Sequence, residues 1–193
     1  MSSLLDIDLD YFNLAHDPLG ALSEILGWAN RPVDVLAENH TDALRYWVKL
    51  VDSGRLPRPT HILHADEHHD IMDQKDRMNL ANVMYHAMVR WRKCRVYWMA
   101  QESVDTPGTW LAPETWSELK SRFRMGTKRP PRWPKPDFVS VTVSPAFVPA
   151  ELQDSLVGRI LAEQKKWSNQ GATVFRTRRV LGIRWTSHVL PGE

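Results

Sequence analysis

The 193-residue sequence predicts an α/β fold: a single three-layer α/β/α domain, residues 1–193, on a mainly parallel sheet. Three observations carry this. Short apolar runs of strand character alternate with segments whose apolar residues recur at helical spacing. Two clusters rich in Asp and His, "DIDLDYF" at 6–12 and "HADEHHD" at 64–70, lie at the ends of apolar runs. In open α/β sheets those ends are where ligands bind. The length suits one domain with a substantial core and is short for two.

Taken in order, "SLLDIDLDYF" reads as a first strand ending in carboxylates. Asp6, Asp8 and Asp10 alternate, so a strand running through them turns all three to one face. A turn at Asp17–Pro18 opens a short helix over "DPLGALSEILGWAN". Ala43, Leu44, Trp47, Val48 and Val51 give a second helix, closed by Gly54. Pro57 and Pro59 mark a loop before the strand "THILHAD", and "NLANVMYHAMVRWRK" is the next helix. "CRVYWMA" is a strand followed by the polar stretch "QESVDTPG", and "PETWSELKSRF" is a helix with a proline near its start. The basic, Pro-rich stretch 124–136 reads as a loop, "DFVSVTVSP" as a β-branched strand, and "PAELQDSLVGRILAEQKKWSNQG" as a helix with Gly171 near its end. The basic segment "TVFRTRRVLGIRW" reads as a last strand.

Composition narrows the classes. Hydrophobic residues make up 42% and charged residues 25%, as in an ordinary globular protein, and a formal charge of +2 gives no case for nucleic-acid binding. The single cysteine, Cys94, excludes an internal disulfide and a Cys-rich zinc site, which fits a reducing cytoplasm. Neither a signal peptide nor a membrane span is expected, because charges enter the apolar run from residue 6. A homo-oligomer is left open. Nine tryptophans and eight unevenly spread histidines are the unusual features.

Asp66, His68 and Asp70 form a D-x-H-x-D spacing just past an apolar strand. Carboxylates with an imidazole suit a borderline-to-hard divalent cation, manganese before zinc or iron. Asp8 and Asp10 add an oxygen-only pair at another strand end. Either motif alone is common without a metal, but together they exceed what one ion needs and point to two Mn²⁺ ions sharing carboxylates.

At "LDIDLDYF", "ENHTDAL" and "LHADEHHDI" the chain resembles the arginase–agmatinase–deacetylase superfamily, with the nearest likeness to the branch that includes peptide arginases. The resemblance implies an arginase-like fold and a metal ligand set of Asp8, Asp10, His40, Asp66, His68 and Asp70. Asp6 stands where the family has serine. It also extends to Asn82 and to "VSVTVSP" at 139–145, which implies Asn82, Thr142 and Ser144 as substrate-binding positions. There are three departures. The D-x-D strand precedes the D-x-H-x-D loop, as in a circularly permuted chain. Glu38–Asn39 replaces the glycine pair before the histidine. Thr142 stands where an acid grips the guanidinium of free arginine. The expected substrate is therefore arginine within a peptide, converted to ornithine and urea.

In that chemistry Asp70 helps relay a proton to the leaving amine, with His86 or His69 as shuttle. His69 and His86 read equally as structural residues. His64 and Glu67, with Asp6, would orient the ligands. His16, His61 and His188 read as ordinary. Trp47, Trp91 and Trp98 read as core, and Trp110 and Trp116 lie in or beside loops. Trp133 with Lys128, Arg129, Arg132 and Lys135 reads either as a platform for a peptide or as a solvated loop. Rival readings are a haloacid-dehalogenase phosphatase with Asp8 as nucleophile, an error-prone polymerase, a one-zinc deacetylase, and a non-catalytic binding protein on the same scaffold. Phe12 stands where the phosphatases have Thr or Val, and neither they nor the polymerases account for "HADEHHD".

Overall fold

Strand β1 (Ser2–Asp8) is buried along its whole length, as only a central strand covered on both faces can be. Alternation sends Leu4 to one apolar layer and Leu5 and Ile7 to the other, so Asp6 and Asp8 share the face of Leu4. A computed structural model describes residues 2–101 and 107–169. Within them β1 joins β2 (Val35–Ala37), β3 (Pro59–Ala65), β4 (Arg95–Met99), β5 (Phe123–Gly126) and β6 (Phe138–Thr142) in one sheet. The order is β2-β6-β1-β3-β4-β5, and every neighbouring pair is parallel.

Helices cover both faces, so the three-layer α/β/α architecture stands. On the Leu4 face, α2 (His40–Asp52), α3 (Val83–Arg90) and α4 (Pro113–Leu119) bring Leu44, Trp47, Met84, Met88 and Leu119 against Ile62, Val96 and Phe138. On the other face, α1 (Pro18–Ala29) and α5 (Ala150–Asn169) bring Leu22, Ile25, Leu156 and Ile160 against Leu5, Ile7, Leu63 and Val139. The β5–β6 connection also crosses this second face without a helix. Trp133 anchors it by edge contact with His61 at 5.2 Å and a tilted contact with Tyr97 at 5.7 Å between ring centroids. Four prolines between residues 130 and 136 stiffen this strap.

The order of strands creates the site. After β1 the chain turns to α1 on one face, and after the adjacent β3 it turns to α3 on the other. Diverging connections leave a crevice at the C-terminal ends of β1 and β3, the topological switch point where α/β sheets bind ligands.

Several sequence expectations are corrected. β1 ends at Asp8, and Leu9–Phe12 form a 3-10 turn instead of continuing the strand. Asp10 reaches the same crevice from that turn, because the Asp8 carboxylate accepts the Asp10 amide at 3.0 Å and bends the chain there. β2 was not foreseen, since three residues are too few to show alternation. The loop expected over 124–136 starts later, because Phe123–Gly126 pairs with β4 as an edge strand. Helix α3 begins at Val83, after a 3-10 turn over Leu80–Asn82. The expected final strand over 173–185, Gly171 and His188 lie outside the described residues. Among the described residues no helix is long and apolar enough to cross a membrane.

Candidate metal centre

Parallel register puts the polar residues of three strands side by side. Asp6 lies opposite His64 on β3 and Ser140 on β6, and Asp8 lies opposite Thr142. All share the face under α2, whose first residue is His40. Asn39 caps that helix, its side-chain oxygen accepting the Asp42 amide at 3.1 Å. The cap fixes where α2 starts and so where His40 enters the crevice.

His40 is the hub. Its Nε2 lies 3.2 Å from Asp6 Oδ2, and its Nδ1 lies 3.4, 3.3 and 3.0 Å from oxygens of Asp8, Asp66 and Asp70. Asp6 is wholly buried and held from three sides, since it also accepts Ser140 Oγ at 2.8 Å and meets His64 Nδ1 at 2.9 Å. His64 turns its other nitrogen, Nε2, to Asp66 Oδ2 at 3.2 Å. Asp66 faces two ways. Its Oδ2 points to His40 and His64, while its Oδ1 accepts the His68 amide at 2.6 Å and lies 3.6 Å from His68 Nδ1. The same His68 nitrogen meets Asp10 Oδ2 at 3.2 Å. Ser144 Oγ donates to Asp8 Oδ2.

These positions give four overlapping sets of three ligand atoms within 4.8 Å of one another: Asp6–His40–His64, Asp8–His40–Asp66, Asp10–Asp66–His68 and His64–Asp66–Asp70. Buried Asp and His side chains in such sets could hold a metal ion. The donor chemistry fits a divalent cation. Unpaired carboxylates in a dry crevice repel, and burial of each is costly without positive charge.

The proton affinities show that tension. Burial, reinforced by the charge of Asp10 and only partly offset by His40, pushes Asp8 up to about 7. Burial together with the charges of Asp10 and Asp70 raises Asp66 well above the usual carboxylate range. Burial would raise Asp6 too, but the charge of His40 and the hydrogen bonds from His40 and His64 hold it well below that range. Burial likewise works against ionised Asp10, and hydrogen bonding and charge from His68 lower it. Hydrogen bonds to Asp10 and Asp66 push His68 up to about 11. Burial disfavours charge on His40, yet Asp6, Asp8 and Asp70 raise it well above its ordinary value.

The backbone at the crevice is bent to suit. Asp70 has φ +52° and Ser144 has φ +48°, a left-handed conformation that few non-glycine residues adopt. The Asp70 carbonyl accepts the amides of Met84 and Tyr85 at 3.0 and 3.2 Å, so the start of α3 is tied to a residue of the cluster. The Asp66 amide donates to the Met99 carbonyl at 3.1 Å, and Trp98 Nε1 donates to the Asp66 carbonyl at 2.9 Å.

Of the residues singled out in the sequence, Asp6, Asp8, Asp10, His40, His64, Asp66, His68 and Asp70 converge. Ser144 and Thr142 border the cluster at Asp8, and the remaining residues lie elsewhere or are otherwise engaged. His69 is buried with its ring edge on Trp98, and its Nδ1 accepts the Ile71 amide at 3.0 Å. His86 faces a groove between α2 and α3 lined by Leu44, Val48 and Met78, outside the four ligand sets. Asn82 donates to Asp73 at 2.6 Å and to the Arg77 carbonyl at 3.2 Å, and accepts the Asn79 amide at 2.8 Å, so its amide pins the 73–82 loop. Glu67 is exposed and takes the Asn13 amide at 3.4 Å. Thr142 is fully buried beside Asp8, with its hydroxyl unpartnered. Ser140 was not singled out, because its role follows from lying opposite Asp6 on the neighbouring strand. The sequence marks Trp98 only as core, whereas its indole N–H holds the Asp66 carbonyl.

His68 is the most exposed residue of the cluster: its side chain is 40% exposed, whereas those of Asp8, Asp10, His40 and Asp66 are at most 4% exposed. Compared with protein-family models, with curated proteins and with solved structures, the chain matches none.

Proposed function

We propose that the protein is a manganese-dependent hydrolase that converts arginine within a peptide to ornithine with release of urea. The observation that carries this reading is Asp66, whose two carboxylate oxygens face opposite halves of the cluster. On one side stand His40, Asp8 and Asp70, and on the other Asp10 and His68. A carboxylate shared between two donor sets would suit a pair of divalent cations. The excess of oxygen over nitrogen donors favours Mn²⁺ over Zn²⁺.

Asp8, Asp10, His40, Asp66, His68 and Asp70 would hold divalent cations whose Lewis acidity would make water a nucleophile at neutral pH. Water oxygen bonds to the guanidinium carbon, the bond from that carbon to the side-chain nitrogen breaks, and that nitrogen leaves protonated. Asp70 is the carboxylate that takes the proton of the attacking water and passes it toward the leaving nitrogen. Asp6, gripped by Ser140 and His64, fixes the ring of His40 through its Nε2. His68, half open to solvent, admits the substrate side chain.

The peptide-borne substrate is supported by the motif resemblance and by Thr142, which offers no carboxylate to a free amino acid's guanidinium. The test is mass spectrometry of arginine peptides and of free arginine with the Mn²⁺-loaded protein. Ornithine should form in peptides, and Asp66→Asn should abolish it. A protein that binds manganese but leaves every peptide in a broad arginine-containing panel unchanged would exclude this function.

A further inference from the structure

On the sheet face opposite the buried aspartates lies a second concavity of about 590 Å³, between α1 and the 127–135 strap. Its walls include Tyr11, Glu24, Trp28, Met99, Lys128 and Arg129. That size falls in the range of ordinary ligand sites. The Arg129 guanidinium lies 4.6 Å from the Trp28 ring centroid, and Lys135 Nζ lies 5.2 Å from it. Lys135 also donates to the Trp28 carbonyl, which ties the strap to the end of α1.

Charge there is unbalanced. Among the described residues none of Lys128, Arg129, Arg132 and Lys135 has a carboxylate within ion-pair distance, and Glu24 is the only acid in the wall. An arginine whose guanidinium carbon lies over an indole still has N–H groups to offer, and its planar fork matches a carboxylate in bidentate fashion. Here the guanidinium spends one nitrogen on the Pro130 carbonyl, at 3.3 Å.

Position links this concavity to the metal cluster. Tyr11 follows Asp10 directly, and the Met99 carbonyl receives the Asp66 amide. Both sites therefore sit at the C-terminal end of the one sheet, on opposite faces. An extended peptide advances about 3.3 Å per residue, so a few residues cross that edge. We infer that the concavity is an anion subsite that holds an acidic side chain of the peptide whose arginine enters the metal cluster. The inference rests on the proposed function for the identity of the second site's occupant.

Two labelled peptides of equal length separate the possibilities, each with one arginine, flanked by glutamates in one and by glutamines in the other. Their binding to the EDTA-treated protein, read by fluorescence anisotropy at low ionic strength, is independent of turnover. The glutamate peptide should bind at least about fivefold more tightly, as two partly exposed charge pairs allow. Lys128→Glu combined with Arg129→Glu should erase that preference, and Trp28→Leu, which leaves the charge unchanged, should weaken it. Arg55→Glu with Arg58→Glu, exposed and outside the walls of the concavity, should preserve it. Circular dichroism shows whether each variant is folded, and Lys128→Ala gives a milder change of the same sign. Equal affinity for the two peptides would overturn the subsite. So would an equal loss in the Arg55/Arg58 pair, which marks general attraction, or competition by free phosphate as strong as by the peptide. Acidic preference without ornithine formation would leave the subsite standing and remove the arginine reading, whereas ornithine formation without acidic preference would do the reverse.

Discussion

Ser144 carries two loads at once, a backbone at φ +48° and a hydroxyl aimed at Asp8. Substitutions separate them. Ser144→Ala keeps the strained φ and removes the hydroxyl, and Ser144→Gly removes both the hydroxyl and the strain. Metal affinity should fall by about tenfold in both, as for groups that orient metal ligands, while Gly should be the more stable by about 0.5–1 kcal/mol. Titration with Mn²⁺ and thermal melts check the two effects, and an affinity unchanged in either variant removes the hydroxyl from the site. Cys94 makes the opposite case of a residue with no part in the chemistry. Burial pushes its thiol up to about 12, with Arg122 only partly opposing, so almost no thiolate is present near neutral pH. Iodoacetamide should leave it unlabelled until the chain is unfolded, and rapid labelling of the folded protein would contradict its burial.

At the scale of elements, the helix start that delivers His40 depends on one side chain. Asn39→Ala removes the cap of α2 and should cost about 1 kcal/mol, or about 3 °C in Tm for a chain of this size. Because His40 is the first residue of that helix, Mn²⁺ affinity should fall as well, and Asn39→Ser should restore both. A stability loss with unchanged metal affinity would show that His40 is held by its carboxylate neighbours and not by the helix start. The same scale explains what could be read in the sequence. "HADEHHD" was legible because a strand end and an alternating ligand pattern occur within seven residues. The helices around Leu44 and Met84 were legible from apolar spacing. Asp10 was placed in the right cluster for the wrong reason, because nothing local distinguishes a continuing strand from a turn that Asp8 itself caps. β2 and the edge strand β5 exist through their pairing with β6 and β4, which no short stretch of sequence displays. Ser140 and the loop-pinning role of Asn82 likewise depend on neighbours distant in space or on a turn's closure. Trp133, a candidate platform in the sequence, packs on His61 and Tyr97, and the equally half-buried Trp28 is the ring that carries the Arg129 guanidinium.

For the whole molecule, the buried carboxylates set opposing pH dependences with and without metal. Asp8 has its folded-state pKa raised to about 7, above the unfolded value of about 3.9, so its contribution is full in acid and is lost as pH rises through 7. His68, raised to about 11, contributes fully below about 6.5 and loses that contribution above it. Asp6 and Asp10, both lowered, contribute above about pH 4 and lose that contribution only in stronger acid. The Tm of EDTA-treated protein should therefore fall from about pH 5 to about pH 8, whereas Mn²⁺, which displaces those protons, should stabilise more at the higher pH. A metal-free Tm flat over that range would mean the cluster does not hold the protons its burial implies. The central claim, a shared carboxylate between two metal positions, has a more direct measure. Elemental analysis after reconstitution with Mn²⁺ should give two ions per chain, and folded Asp66→Ala should lose both. No bound metal, a single ion, or two ions retained in Asp66→Ala would contradict it.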